Sequence, residues 1–244
     1  MYAANGMDAP TRQNLARRLW GTLVSPRTVY QEVAAAPRWL GVAAAVVGIT
    51  IACHVSFQST EVGRTVRFER TMSRIESAGV HLDDATYERF RRQALTPSMA
   101  RTALESAVLF VGAGAGWIVL GGVLFLVFSL ATAGQVAFRQ VFAVVVTSSV
   151  VQALRGLVTT PWNYQMSAEV RTDLGVLLPF LDESSFLART WAGLDLFTVW
   201  WLLNLAVGIS VLYRKKVTLT GPLLLGGYLV IALATAAWQL ARSG

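Results

Sequence analysis

Apolar residues in this chain fall into five long stretches separated by polar segments: Trp39 to Phe57, Leu104 to Ala131, Val141 to Thr159, Trp191 to Tyr213 and Gly221 to Leu240. About 20 apolar residues in a helix cover a hydrocarbon core of about 30 Å, so each stretch is long enough to cross a bilayer. Inside lipid the backbone must satisfy its own hydrogen bonds, and a helix does so within one segment. The pattern therefore predicts an all-α, polytopic membrane protein, a bundle of five transmembrane helices with short amphipathic interfacial helices.

The polar segments carry a different periodicity. Leu15, Leu19 and Leu23 recur at i, i+4, i+8 with Trp20 beside them and Arg12, Arg17 and Arg18 on the other side. That is the pattern of a helix lying in the membrane interface. Ser25 and Pro26 read as the cap and first residue of a second short helix, which Pro37 ends. The polar loop 58–101 predicts one amphipathic helix through Phe68, Met72 and Ile75, ending at Gly79, and another from Asp83 or Asp84 that stops before Pro97. Gly134 and Arg139 lie in a short turn joining the second and third spans, and a second polar loop covers 160–190. The division is thus 1–38, an N-terminal pair of interfacial helices, and 39–242, a five-span domain.

Composition agrees with the pattern. Of 244 residues 54% are hydrophobic and 14% charged, with a mean hydropathy of +0.50, against roughly a quarter charged in a soluble domain. The net charge of +7 has no basic, aromatic-interleaved face behind it. No nucleic acid partner is expected, and the lipid bilayer with its anionic head groups is the expected counter-charge. The single cysteine, Cys53, excludes an internal disulfide and a multi-cysteine metal site. Residues 1–37 lack an apolar run followed by a small-residue cleavage site, so the first span is expected to direct targeting. Nineteen Arg against two Lys, with abundant Ala, fits a GC-rich bacterial genome.

Charge counting leaves orientation open: with the N-terminus inside, nine Lys and Arg fall inside and eleven outside. The compact cluster Arg214, Lys215 and Lys216 at a span end favours the N-terminus inside.

Alternation of the spans brings His54, Glu105, Gln152, Arg155 and Asp195 toward one membrane face. Charge within a bilayer costs about 2.5 to 3.5 kcal/mol for Arg at the centre on insertion scales, and is usually paired or functional. Arg155 is expected either to pair with Glu105 or Asp195, forming a polar pocket or subunit-docking surface, or to snorkel to the head groups. Gly112 and Gly116 make a GxxxG, which predicts a second helix packed closely, within the chain or between copies in a homo-oligomer. Trp117, Trp200, Trp201 and Asn204 lie deep in spans, as core packing with one interhelical hydrogen bond or as an aromatic-lined groove for lipid or a hydrophobic substrate. His54 and His81 are the only histidines, with no HExxH, no plausible Ser-His-Asp set and no paired intramembrane aspartates. No catalytic residue, cofactor or metal is expected.

Three stretches, SPRTVYQEVAAAPRWL from Ser25 to Leu40, AFRQVFAVVV from Ala137 to Val146 and LDLFTVWWLLNLAVGIS from Leu194 to Ser210, together resemble the bacterial branch of the Yip1-domain family of five-span membrane proteins. The resemblance implies a cytoplasmic N-terminus, an extracytoplasmic C-terminus, a place in the bacterial cytoplasmic (inner) membrane and no catalytic residues. Eukaryotic relatives act in vesicle traffic through small prenylated GTPases, and some bacterial members look like accessory subunits beside export-type ABC transporters. The long loop 58–101 departs from the eukaryotic pattern. The resemblance therefore implies other membrane protein subunits, an ABC transporter among them, as partners, and leaves a small permease or a membrane-shaping factor as alternative roles.

Overall fold

The structure, a computed structural model, describes residues 14–77, 79–131, 136–168, 170–177 and 185–243. Arg12 and Gly134 lie outside the described residues, as does the side chain of Arg242. Among the described residues the chain is helical, with no strands. Four helical segments are long and apolar enough to cross a membrane: Leu40–Gln58, Met99–Leu130, Phe138–Met166 and Val217–Trp238. A fifth apolar helix, Leu196–Leu212, is shorter, with 17 residues.

In chain order the helices are α1 (Leu15–Val24), α2 (Pro26–Ala35), α3 (Leu40–Gln58), α4 (Glu61–Ser77), α5 (Asp84–Leu95), α6 (Met99–Ala131), α7 (Phe138–Ser148), α8 (Val150–Met166), α9 (Phe186–Ala192), α10 (Leu196–Leu212) and α11 (Val217–Ser243). The loop helices stop where turn chemistry stops them. Gly79 takes the left-handed φ of +76° just past α4. The Asp83 carboxylate accepts the Thr86 N–H at 3.2 Å and caps α5.

The expected third span is two helices in line, α7 and α8, meeting at Ser149. Both Ser148 and Ser149 hydroxyls bond back to the Val145 carbonyl, at 2.8 and 3.0 Å, a local competition with the helix ladder at the joint. α8 also runs through Pro161 to Met166 rather than ending near Thr159. Pro161 forfeits one backbone hydrogen bond, but Tyr164 donates to the Ser56 carbonyl and its ring meets Phe57 edge-on at 5.4 Å. Tertiary contact with α3 thus holds the last turn in place. The expected fourth span is interrupted as well: Gly193 to Asp195 separate α9 from α10, because Asp195 turns its carboxylate onto the Thr198 N–H at 2.8 Å and starts a new helix.

α7 and α10 form the centre. Val141 and Ala143 to Ser148 are all buried, as are Leu205, Ala206 and Ile209. α6 and α11 stand outside them with most of their apolar side chains exposed. The N-terminal helices enter this core. Leu19 and Leu23 pack on Val42, Val46, Val146 and Val150 of α3, α7 and α8, while Val29, Tyr30 and Val33 of α2 join the cluster of α7 and α10. Of the apolar stripe read as facing lipid, Leu19 and Leu23 are half-buried against protein, while Trp20 stays 66% exposed and Leu15 39%.

Candidate functional site

Four of the five polar residues expected at one face form two pairs at one end of the bundle. His54 Nε2, one turn from the end of α3, lies 3.3 Å from Glu105 Oε2 on α6, and Arg67 of α4 bonds the other Glu105 oxygen. Arg155 Nη2 on α8 lies 3.1 Å from Asp195 Oδ2 at the start of α10. Of the two partners weighed for Arg155, the geometry selects Asp195. Glu105 is engaged elsewhere, and Gln152 is half-buried and joins neither pair.

Asp195 is the better-built of the two carboxylates. Besides Arg155 it accepts from the Thr198 N–H at 2.8 Å, the Thr198 hydroxyl at 3.1 Å and the Thr172 hydroxyl. The segment around Thr172 is held against it by two backbone bonds, Leu174 N–H to Leu194 O at 2.8 Å and Leu196 N–H to Thr172 O at 3.0 Å. Tyr228 of α11 accepts the Asp195 N–H at 3.1 Å and donates to the Gly193 carbonyl at 2.9 Å. Through these bonds Asp195 fastens α8, α10, α11 and a loop together. The His54, Glu105, Arg67 set does the same for α3, α4 and α6. Their side chains are partly exposed, so each ion pair is worth about 0 to 1 kcal/mol. Among the described residues no three of His, Cys, Asp and Glu come close enough to hold a metal ion.

A second polar layer lies in the middle of the bundle. Trp117 of α6 and Trp201 of α10 donate their indole N–H groups from opposite sides to Ser149 and Ser148, at 2.8 and 2.9 Å. Trp200 stacks at a tilt on Phe197, ring centres 6.3 Å apart. Asn204 gives its amide N–H to the Thr22 carbonyl at 2.6 Å and accepts from the Tyr30 hydroxyl. Asn204 thus bonds neither span nor lipid but the hairpin of α1 and α2. Eight residues at 1.5 Å each separate it from Leu212, which puts this contact about 12 Å along α10 from its end.

Gly112 and Gly116 do not pack within the chain. A methyl group added at either, or at Gly114 or Gly122, would meet no atom within 4 Å. Gly208, by contrast, is used in close packing between helices: a methyl there would strike Val144 and approach the Tyr30 ring to 3.1 Å. Arg67, Thr172, Tyr228, Tyr30 and the Ser148–Ser149 pair were not singled out from sequence. The usable signals were a lone Tyr inside the last span and three consecutive hydroxyl residues inside the third, since buried hydroxyls need partners.

The architecture defines an all-α chain with apolar helices suited to a membrane. No family model matches the chain, and no curated protein or solved structure matches it.

Proposed function

We propose that the chain is a non-enzymatic integral membrane protein that crosses the bilayer five times and works by interaction, as an accessory or regulatory subunit of a transport or export assembly. The observation that carries this reading is α6. Its outward stripe, Val108, Val111, Gly112, Gly116, Val119 and Val123, is exposed along its length and its glycines touch nothing. Small residues spaced this way let another backbone approach closely, which is how helices associate where lipid is as apolar as they are.

α10 enters the count as a fifth span because 17 residues at 1.5 Å give about 25 Å, the short end of the crossing range. Five crossings set the termini on opposite sides. The Yip1-like stretches and the basic turn Arg214 to Lys216 favour a cytoplasmic N-terminus in a bacterial inner membrane. A permease draws less support, since Glu105 and Asp195 each have their own cation and lie at one end. Membrane shaping by α1 draws less too, because Leu19 and Leu23 pack on protein.

Gly112→Leu and Gly116→Leu test the reading, as they meet no atom of the same chain. Purified in mild detergent, the natural protein should bring a larger complex containing an ATP-hydrolysing subunit, and the double variant should leave it while unfolding at the same temperature. A natural protein that purifies alone and moves solute in liposomes would overturn the reading in favour of a permease. Loss of a homodimer alone would reassign the stripe to self-association.

A further inference from the structure

The end of the bundle opposite the two ion pairs carries a groove that none of the roles above uses. It lies between α2 and the turn from α10 to α11, as two adjoining cavities of about 670 and 560 Å³ that share Gln31, Val211 and Arg214. Four cations line it, Arg27, Arg214, Lys215 and Lys216, all exposed, and no carboxylate does. The acidic residue of α2, Glu32, is not among the residues that line it. Gln31 and Gln140 add neutral polar groups to the walls.

The turn is built at a cost that its charge explains. The Lys215 N–H bonds the Ser210 carbonyl at 3.0 Å, which closes the helix end and requires a left-handed residue at position 214. Glycine takes that conformation freely. Here Arg214 takes it, at φ +52°, against a penalty of about 1 to 2 kcal/mol for a residue with a side chain. Strain of this kind points toward function. Val217 and Thr218, the first residues of the 27-residue α11, line the same groove, so the positive end of that helix lies beside it.

We propose that this groove binds the phosphate of an anionic phospholipid. The chemistry required is that of a phosphate monoester or diester, and the surroundings choose the lipid over a soluble ion. Directly along α11, Leu219 and Leu223 are 62% and 52% exposed, an apolar track for an acyl chain whose head group rests among the cations. The site needs only that α11 be embedded in lipid, whatever partner the chain has.

The test uses the full chain in nanodiscs, with lipid occupancy read by native mass spectrometry for phosphatidylglycerol against phosphatidylcholine. Arg214→Gly keeps the turn and removes the strain, so this variant should unfold no earlier than the natural protein while binding phosphatidylglycerol about fivefold more weakly, the effect of one surface cation. Adding Lys215→Gln and Lys216→Gln should bring the loss to about a hundredfold. Arg91→Gln on α5 changes net charge by the same amount as Arg214→Gly and should leave binding unchanged. Equal losses in Arg91→Gln and Arg214→Gly would reduce the effect to overall charge and overturn the proposal. Displacement of the lipid by millimolar inorganic phosphate would overturn the assignment to lipid.

Discussion

α6 and α10 are both apolar, both carry glycine and a deep tryptophan, and both begin near a carboxylate, yet one lies on the outside of the molecule and the other at its centre. α10 presents Asn204 and Gly208 to its neighbours, and both are met: Asn204 by Tyr30 and Thr22, Gly208 by Tyr30 and Val144. α6 presents Gly112, Gly114, Gly116 and Gly122 to nothing, and only Gly121 lies against α7. Hydrophobicity therefore does not decide which helix becomes the core. In lipid there is little to gain by hiding leucine from leucine tails, and small surfaces and paired polar groups decide instead.

Substituting the two glycines should give the largest contrast. Gly208→Leu forces Tyr30 and Val144 apart and should lower stability by about 3 kcal/mol or more. Gly112→Leu, of equal volume change, should shift it by less than about 0.5 kcal/mol. Unfolding in mixed micelles measures both, and equal effects would show that α6 is packed as tightly as α10. Next in size is Tyr30→Phe, which removes one donor from Asn204; interhelical bonds in membranes are worth about 0.6 and at most about 1.7 kcal/mol. Hydrogen exchange at α2 amides should rise in parallel, and an unchanged rate would mean that α2 is held by its valines alone.

The two starting carboxylates should differ least. Charge reversal of Arg67 with Glu105 at α6, in a double-mutant cycle, should show a coupling of up to about 1 kcal/mol. The corresponding cycle of Arg155 with Asp195 at α10 should recover less than the single losses, because an arginine at 195 cannot accept from Thr172 and Thr198. Crossed reversal of Arg155 with Glu105 should recover nothing.

What could be read from the residues alone follows the same division. The apolar stretches, the stop at Gly79 and the start at Asp83 depend on local chemistry, and the helices of the loop 58–101 lie where that chemistry puts them. The stripe of Leu15, Leu19 and Leu23 shows that one face of α1 is apolar; it does not show whether lipid or α3 covers that face. Pro161 signals a helix end, but a tyrosine three residues later, bonded to another helix, outweighs it. The GxxxG of α6 suggested a neighbour that the chain itself does not supply. His54, Glu105, Arg155 and Asp195 were traceable to one end from span alternation, whereas their division into pairs depends on Arg67 and Thr172, which lie in the polar connections.

The bond from Tyr30 to Asn204 joins residues 174 positions apart. At about 5 to 20 residues per second a ribosome takes roughly 10 to 35 seconds to make that interval. For that interval the α1–α2 hairpin exists without α10, and Tyr30 has no partner for its hydroxyl. A segment made long before α10 is thus among the last to settle, and a chain truncated before α10 leaves Tyr30 without its partner and the hairpin more available to a chaperone or protease.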